Sequence, residues 1–212
     1  MEAGAAWESL EVPARRSLEL AWEALGADTV PVGAVVVDPS GAIVAEGRNR
    51  IFERSAPLGE LAGHRLAHAE VNALVQLDLG VKYWDHTLYT SLEPCNLCIG
   101  AALMSTLGRV VYLGVEAFRG AAARHRASAP LPKRPPFELE GPREDELGVL
   151  AEALAMVQLV RDPMPLYLEL YRELRPQMLD LGEALNEHGL FERAAAGVPL
   201  EDVLPGIWPL LG

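Results

Sequence analysis

Two short stretches of the sequence carry the residues best suited to chemistry: His68-Ala69-Glu70, and Pro94-Cys95-Asn96-Leu97-Cys98, with 23 residues between them. One imidazole and two thiolates, the thiolates three residues apart, offer three ligands of the softness zinc takes. Three protein ligands leave one tetrahedral position open, which marks a catalytic site and not a structural one. Zinc held there lowers the pKa of a bound water to about 7. Glu70 lies two residues from the candidate ligand, and so on a different helix face. It is free to take the proton of that water and pass it to a departing amine. Such a set of groups suits hydrolytic loss of ammonia from an amidine-like carbon. Two other readings of the cysteines compete. A structural zinc knuckle wants a fourth ligand, and the chain has only two cysteines. A thioredoxin-like dithiol leaves His68-Ala69-Glu70 without a role.

The surrounding pattern supplies elements to hold these residues. Leu18, Ala21, Trp22 and Leu25 recur at helical spacing, predicting a helix over 13–27 with Pro13 in its first turn and Gly26 at its end. Val32–Val37 and Ala42–Gly47 read as strands joined by the turn Asp38-Pro39-Ser40-Gly41. Arg50–Arg65 is loop-like. Ala67–Leu79 is expected to be helical, with Val71, Leu74, Val75 and Leu79 on one stripe. Thr87–Leu92 is a strand ended by Glu93-Pro94. Cys95–Leu107 is an apolar helix closed by Gly108, placing both cysteines in its first turn, where the helix dipole favours thiolates. Arg109–Leu113 then completes a βαβ unit, hence a parallel portion of sheet. Phe137–Glu140 suits a short fifth strand and Glu144–Val160 an amphipathic helix. Two or three short helices follow, broken by Pro176, Gly189, Pro199 and Pro205.

Half of the 212 residues are apolar and 23% are charged, which is the composition of a folded globular chain. The net charge of −12 argues against nonspecific binding to nucleic acid. Its distribution is uneven: 15 acids against 13 bases through residue 136, and 15 against 5 from residue 137 onward. The stretch 119–134 holds Arg119, Arg124, Arg126, Lys133 and Arg134 and no acid. The three arginines read either as a solvated loop or as contacts for a phosphate or carboxylate on the substrate. No apolar run reaches the roughly 20 residues of a membrane span, and Met1–Val12 lacks the character of a signal peptide, so a cytoplasmic setting is expected. His64, His86, His125 and His188 belong to no motif and read as surface or capping residues. Tyr167, Tyr171, Phe191 and Trp208 read as core or dimer contacts, with Trp208 alternatively a lid over the pocket.

Together, Pro31-Val32-Gly33-Ala34-Val35-Val36-Val37, Glu46-Gly47-Arg48-Asn49-Arg50, Ala67-His68-Ala69-Glu70, Thr87-Leu88-Tyr89 with Ser91-Leu92-Glu93-Pro94-Cys95, and Gly108-Arg109-Val110-Val111-Tyr112 resemble the cytidine deaminase superfamily. The nearest branch is that of tRNA adenosine deaminases and guanine deaminases. The resemblance covers roughly residues 13–160. It implies an α/β fold, a three-layer α/β/α sandwich around a five-stranded mixed sheet, assembled as a homodimer. It implies one zinc per chain, with a bound water or hydroxide, on His68, Cys95 and Cys98, and Glu70 as the proton carrier. Asn49 would hydrogen-bond the substrate and the backbone of Ala69 would meet the base. Residues 1–161 would then form the catalytic domain, and 162–212 an acidic helical extension packed on it or on a partner.

The 18 residues between Asn49 and His68 and the acidic tail depart from the tRNA-acting pattern. The expectation is therefore a zinc-dependent hydrolytic deaminase of a small aminated heterocycle, a free nucleobase or nucleoside that is guanine-, cytosine- or adenosine-like. A tRNA adenosine deaminase is the first alternative, and a non-catalytic zinc-binding scaffold of the same fold the second.

Overall fold

A computed structural model describes residues 2–128 and 136–212. Its elements run α1 (Ala3–Ser9), α2 (Val12–Gly26), β1 (Gly33–Val37), β2 (Ile43–Arg48), α3 (Ala69–Leu74), β3 (Thr87–Leu92), α4 (Asn96–Met104), β4 (Arg109–Gly114), α5 (Ala122–Arg126), β5 (Glu138–Glu140), α6 (Glu146–Arg161), α7 (Pro165–Leu174), α8 (Pro176–Glu187), α9 (Leu190–Ala195) and α10 (Leu200–Leu211). The sheet order is β2-β1-β3-β4-β5. β1 is antiparallel to both β2 and β3, whereas β3, β4 and β5 are mutually parallel. This is the five-stranded mixed sheet expected.

Both faces of the sheet are covered, because its strands alternate between two apolar clusters with the period of two that a pleated strand imposes. Ala34, Val36, Leu88, Leu92 and Val110 turn toward Ala69, Ala73 and Leu74 of α3 and Ala102 of α4. Val35, Val37, Tyr89 and Leu113 turn the other way, toward α2 and α6. The four helices after α6 join that second cluster: α8 lies against α6, α9 against α2, and α10 against α1. Met178, Leu185, Leu190, Val203 and Ile207 are buried there with Leu18, Leu25, Leu150 and Leu154. Most of the last fifty residues therefore thicken one side of the sandwich.

Local differences from the sequence expectations have local causes. The helix expected over 67–79 is confined to Ala69–Leu74. The chain then turns so that Tyr83 is buried in the α3–α4 cluster, with its hydroxyl accepting from the Asp78 N–H at 2.9 Å. The helix expected over 95–107 ends at Met104, not at Gly108, because Thr106 takes a left-handed backbone (φ 62°), and its hydroxyl accepts from the Tyr83 N–H at 2.9 Å. The tail holds four helices, not two or three. Pro205 lies inside α10 with Pro209, both on its exposed side, while Leu200, Val203, Leu204, Ile207 and Leu211 are buried. Burial of that apolar stripe outweighs the backbone hydrogen bonds the prolines forfeit. Helix α1 has no signature in the sequence; Trp7 is buried against the tail, and its Nε1–H donates to Glu201 at 3.2 Å. Lys133 and Arg134 of the basic stretch lie outside the described residues.

Candidate metal and active site

The two motifs meet at the starts of α3 and α4. His68 caps α3 with an extended backbone (φ −72°, ψ 153°), and Cys95 caps α4 in the same way (φ −76°, ψ 175°). Cys95 thus precedes the helix and does not sit within its first turn, while Cys98 lies at the third helical position. α3 reaches its place because β2 approaches it at Gly47: a Cβ there would stand 2.5 Å from the Ala73 nitrogen and 2.7 Å from the Ala69 oxygen. Any larger residue would push α3, and His68 and Glu70 with it, away from the sheet.

His68 Nδ1 stands 3.4 Å from Cys98 Sγ and 3.8 Å from Cys95 Sγ, and the two sulfurs are 3.6 Å apart. Zinc with Zn–S of about 2.3 Å and Zn–N of about 2.0–2.1 Å in a tetrahedron requires ligand separations of roughly 3.6–3.8 Å. The triangle therefore fits the ion. Among the described residues these three form the one compact group of metal-ligating side chains. Hydrogen bonding with Cys98 and with His68 draws the Cys95 thiol down to about 4. The same contact with Cys95, together with burial, pushes Cys98 well above the usual thiol value. The bond to Cys95 also raises His68. The two thiols therefore titrate as a coupled pair, one drawn down and the other pushed up.

Glu70 is buried beside the triangle, and desolvation raises its pKa. With Asn49, His68 and Cys95 it lines a cleft completed by Val30, Val32, Ile51, Leu92, Glu93, Glu116 and Arg119. Asn49 is itself buried, and its Oδ1 accepts from Thr29 Oγ1 at 3.1 Å and from the Ile51 N–H at 3.0 Å. The amide is fixed with its NH2 as the group left to offer donors. Ala69 is fully buried at the first position of α3, where helix backbone N–H groups have no partner within the helix. It is not among the residues lining the cleft. Trp208 packs against the apolar cluster on the other side of the sheet and is likewise not part of this cleft, so within the chain it is no lid. His86, His125 and His188 lie outside the site, against Asp85, Phe137 and the Ala184 carbonyl respectively.

Three supports of the site have no motif in the sequence. Asn72 is fully buried; its Nδ2 donates to the carbonyls of Arg48 and Leu61, and its Oδ1 accepts from the Leu61 N–H. It pins the 49–68 loop to α3. Arg48 and Arg50 both pair with Glu53, and Arg50 also pairs with Glu60 at 2.6 Å, closing the same loop. Glu93 accepts from the Ala122 N–H at 3.0 Å, and the Ala121 N–H donates to the Pro94 carbonyl at 3.0 Å, stitching the loop after β4 onto the cysteine motif. Asn72 to Arg48 and Glu93 to Ala122 join segments 24 and 29 residues apart, whereas the arginine pairs are local to the loop, and none of these polar residues stands out from an ordinary loop residue in the sequence.

The family described as cytidine and deoxycytidylate deaminase zinc-binding region matches residues 8–114. The chain belongs to this family. It is 41% identical over 115 residues to the tRNA(Ile)-lysidine synthase of Deinococcus radiodurans, covering 50% of this chain and 18% of that one. It is 39% identical over 101 residues to the tRNA-specific adenosine deaminase of Haemophilus influenzae, covering 46% and 54%. Identity is 37% over 108 residues to the guanine deaminase of Bacillus subtilis, covering 46% and 60%. The chain thus spans at most about 60% of the length of these relatives. It has the α/β architecture expected of that family, a five-stranded mixed sheet with helices on both faces. No helix among the described residues is long and apolar enough to cross a membrane.

Proposed function

We propose that the protein is a zinc-dependent hydrolytic deaminase of a free nucleobase or nucleoside, guanine-, cytosine- or adenosine-like, that releases ammonia. The observation that carries this reading is the ligand-sized triangle of His68, Cys95 and Cys98 with the buried carboxyl of Glu70 beside it in one cleft. Zinc on that triangle supplies a Lewis acid able to make water nucleophilic near neutral pH. The chain's own residues do the rest. Glu70 takes a proton from the attacking water and delivers it to the departing nitrogen, so that ammonia leaves and an oxo group replaces the amine on the ring. Asn49, its oxygen held by Thr29 and Ile51, orients the ring through its NH2. The Ala69 backbone, behind the cleft lining at the start of α3, is the remaining candidate for a contact to the base. Leu92, Val30 and Val32 supply apolar walls that exclude bulk water.

Residues 1–161 form the catalytic unit in this reading, and 162–212 an extension that braces it. We further place the protein in the cytoplasm as a homodimer, a state supported by the exposed Val75, Leu79 and Met104 near the ends of α3 and α4.

The test is ammonia release by zinc-loaded protein over nucleobases, nucleosides and related aminated heterocycles, with and without chelator. Release from a small heterocycle that chelation abolishes and zinc restores is the expected result. Silence across the whole panel with stoichiometric zinc bound would leave a scaffold of the same fold. A second reading, deamination of adenosine in a tRNA loop, is favoured by the similarity to the Haemophilus influenzae enzyme. The net charge of −12 speaks against it, and a gel-shift titration with tRNA at low salt separates the two.

A further inference from the structure

The three arginines of the basic stretch have separate fates. Arg124 donates to the Gly120 carbonyl one turn back at 2.9 Å. Arg126 donates to the carbonyls of Leu139 and Gly141 at 3.0 and 3.1 Å and lies by the Tyr112 ring, so it fastens α5 to the sheet edge. Arg119 alone lines the cleft with Asn49, His68 and Glu70. Its guanidinium lies over the ring of Tyr167 in α7, 4.5 Å from the centroid.

We propose that Arg119, held by Tyr167 of the C-terminal extension, makes the cleft select substrates that carry an anionic group, a phosphate ester or a carboxylate, beside the aminated ring. This rests on the deaminase reading and names its substrate class. Four observations carry it. The first is the partner: the Tyr167 ring holds the guanidinium through its charge, 4.5 Å from the centroid, without offering a carboxylate to its N–H donors. The second is the absence of competition. Arg48, Arg50 and Arg16 all spend their forks on carboxylates, whereas among the described residues no carboxylate lies within ion-pair distance of the Arg119 side chain.

The third is what the acids of the same rim do. Glu93 accepts from the Ala122 N–H, and one oxygen of Glu116 accepts from the backbone N–H groups of Phe118 and Arg119 at 2.9 and 3.1 Å. Both carboxylates are engaged in shaping the loop, and the guanidinium is the rim charge not so used. The fourth is the grip of α7. Tyr167 meets Phe118 edge to face at 5.0 Å as well as lying under Arg119. Arg119 of the cleft lining and its neighbour Phe118 are thus both held by one residue of the extension's first helix. That gives the added segment a role at the site even though most of it packs on the opposite side of the sheet.

The experiment compares matched substrates in zinc-loaded protein: a nucleoside against its 5′-monophosphate, and an amino heterocycle against its carboxylated form. The expected result is a KM lower by roughly tenfold to a hundredfold for the anionic member of one pair, the size of a charge-assisted hydrogen bond, with kcat little changed. Which pair shows it tells phosphate from carboxylate. Arg119→Ala should erase the difference by raising KM for the anionic member only, and Arg119→Lys should restore part of it. Tyr167→Phe keeps the ring and should keep the preference; Tyr167→Leu should lose most of it. Equal KM values within both pairs, or an Arg119→Ala that weakens neutral and anionic members alike, would overturn the proposal while leaving the deaminase intact. If no substrate turns over, the deaminase reading fails by itself. Calorimetric binding of the same anions then decides the arginine: binding lost in Arg119→Ala supports its role, and absent binding overturns it.

Discussion

The two sides of the sheet are built by different means. On the α2–α6 side, long helices and the C-terminal extension share one apolar cluster, in which Leu18, Leu25, Leu150, Leu154, Leu185 and Val203 are wholly excluded from solvent. On the α3–α4 side the helices are only six and nine residues long. Their starts are fixed by polar side chains acting across loops: Asn72 on the 49–68 loop, Glu93 on the loop after β4, and Arg48 and Arg50 on Glu53 and Glu60. Apolar burial is non-directional and tolerates small shifts, whereas hydrogen bonds fix donors and acceptors to within tenths of an ångström. The side that needs exact placement of a His, two Cys and a Glu uses the directional interactions. The side that supplies most of the folding free energy uses the other kind. The difference predicts that activity and stability separate by face.

The sharpest case is Glu70. Glu70→Ala should lower ammonia release by roughly 10²- to 10⁴-fold, the usual worth of a positioned proton carrier. Zinc content and melting temperature should hold or rise, since a buried carboxyl is removed. Wild-type turnover in that variant would sink the assignment. The opposite case is Leu154, fully buried in α6. Leu154→Ala should cost about 2–5 kcal/mol in denaturant unfolding, with kcat per folded molecule unchanged; a parallel drop in kcat would break the separation.

Glu152 tests the one carboxyl buried on the helical side. Desolvation lifts it to about 7, and Arg175, whose guanidinium donates to it at 2.8 Å, only partly offsets the burial. A carboxyl that binds its proton more tightly folded than unfolded contributes stability fully below its unfolded pKa of about 4.5, and that contribution is lost as pH rises through about 7. Glu152→Gln removes this dependence. Relative to wild type it should gain roughly 2–3 kcal/mol on going from pH 5 to pH 8 in urea unfolding, at about 1.36 kcal/mol per unit. Equal slopes in the two proteins would show that the pair stays ionised throughout.

Asn72→Ala is the mildest break and the most local. It strands the Leu61 N–H and two carbonyls, at about 1–3 kcal/mol. Proteolysis should quicken within residues 50–66 while the buried amides of α2 and α6 keep their exchange protection. Uniform loss of protection would mean that the loop is not a separate unit.

The sequence by itself determined the strands, because alternation of apolar side chains is a local property, and it determined the chemistry, because His-x-Glu and Pro-Cys-x-x-Cys name their donors by type and spacing. It also indicated the sheet's mixed pairing, since a strand-turn-strand and a strand-helix-strand admit few other arrangements. The tertiary structure alone decided the ends of α3 and α4, which are set by Tyr83 and Thr106 reaching across to one another. It alone brought His68 within 3.8 Å of both sulfurs and left Ala69 and Trp208 out of the cleft lining. It also sorted the arginines, tying Arg124 and Arg126 into the scaffold and setting Arg119 at the cleft on a ring 48 positions away. The reason is common to all of these. A residue's type is written in the chain, but what it is bonded to depends on which distant segment the fold lays beside it, and polar loop residues carry no periodicity that announces that neighbour.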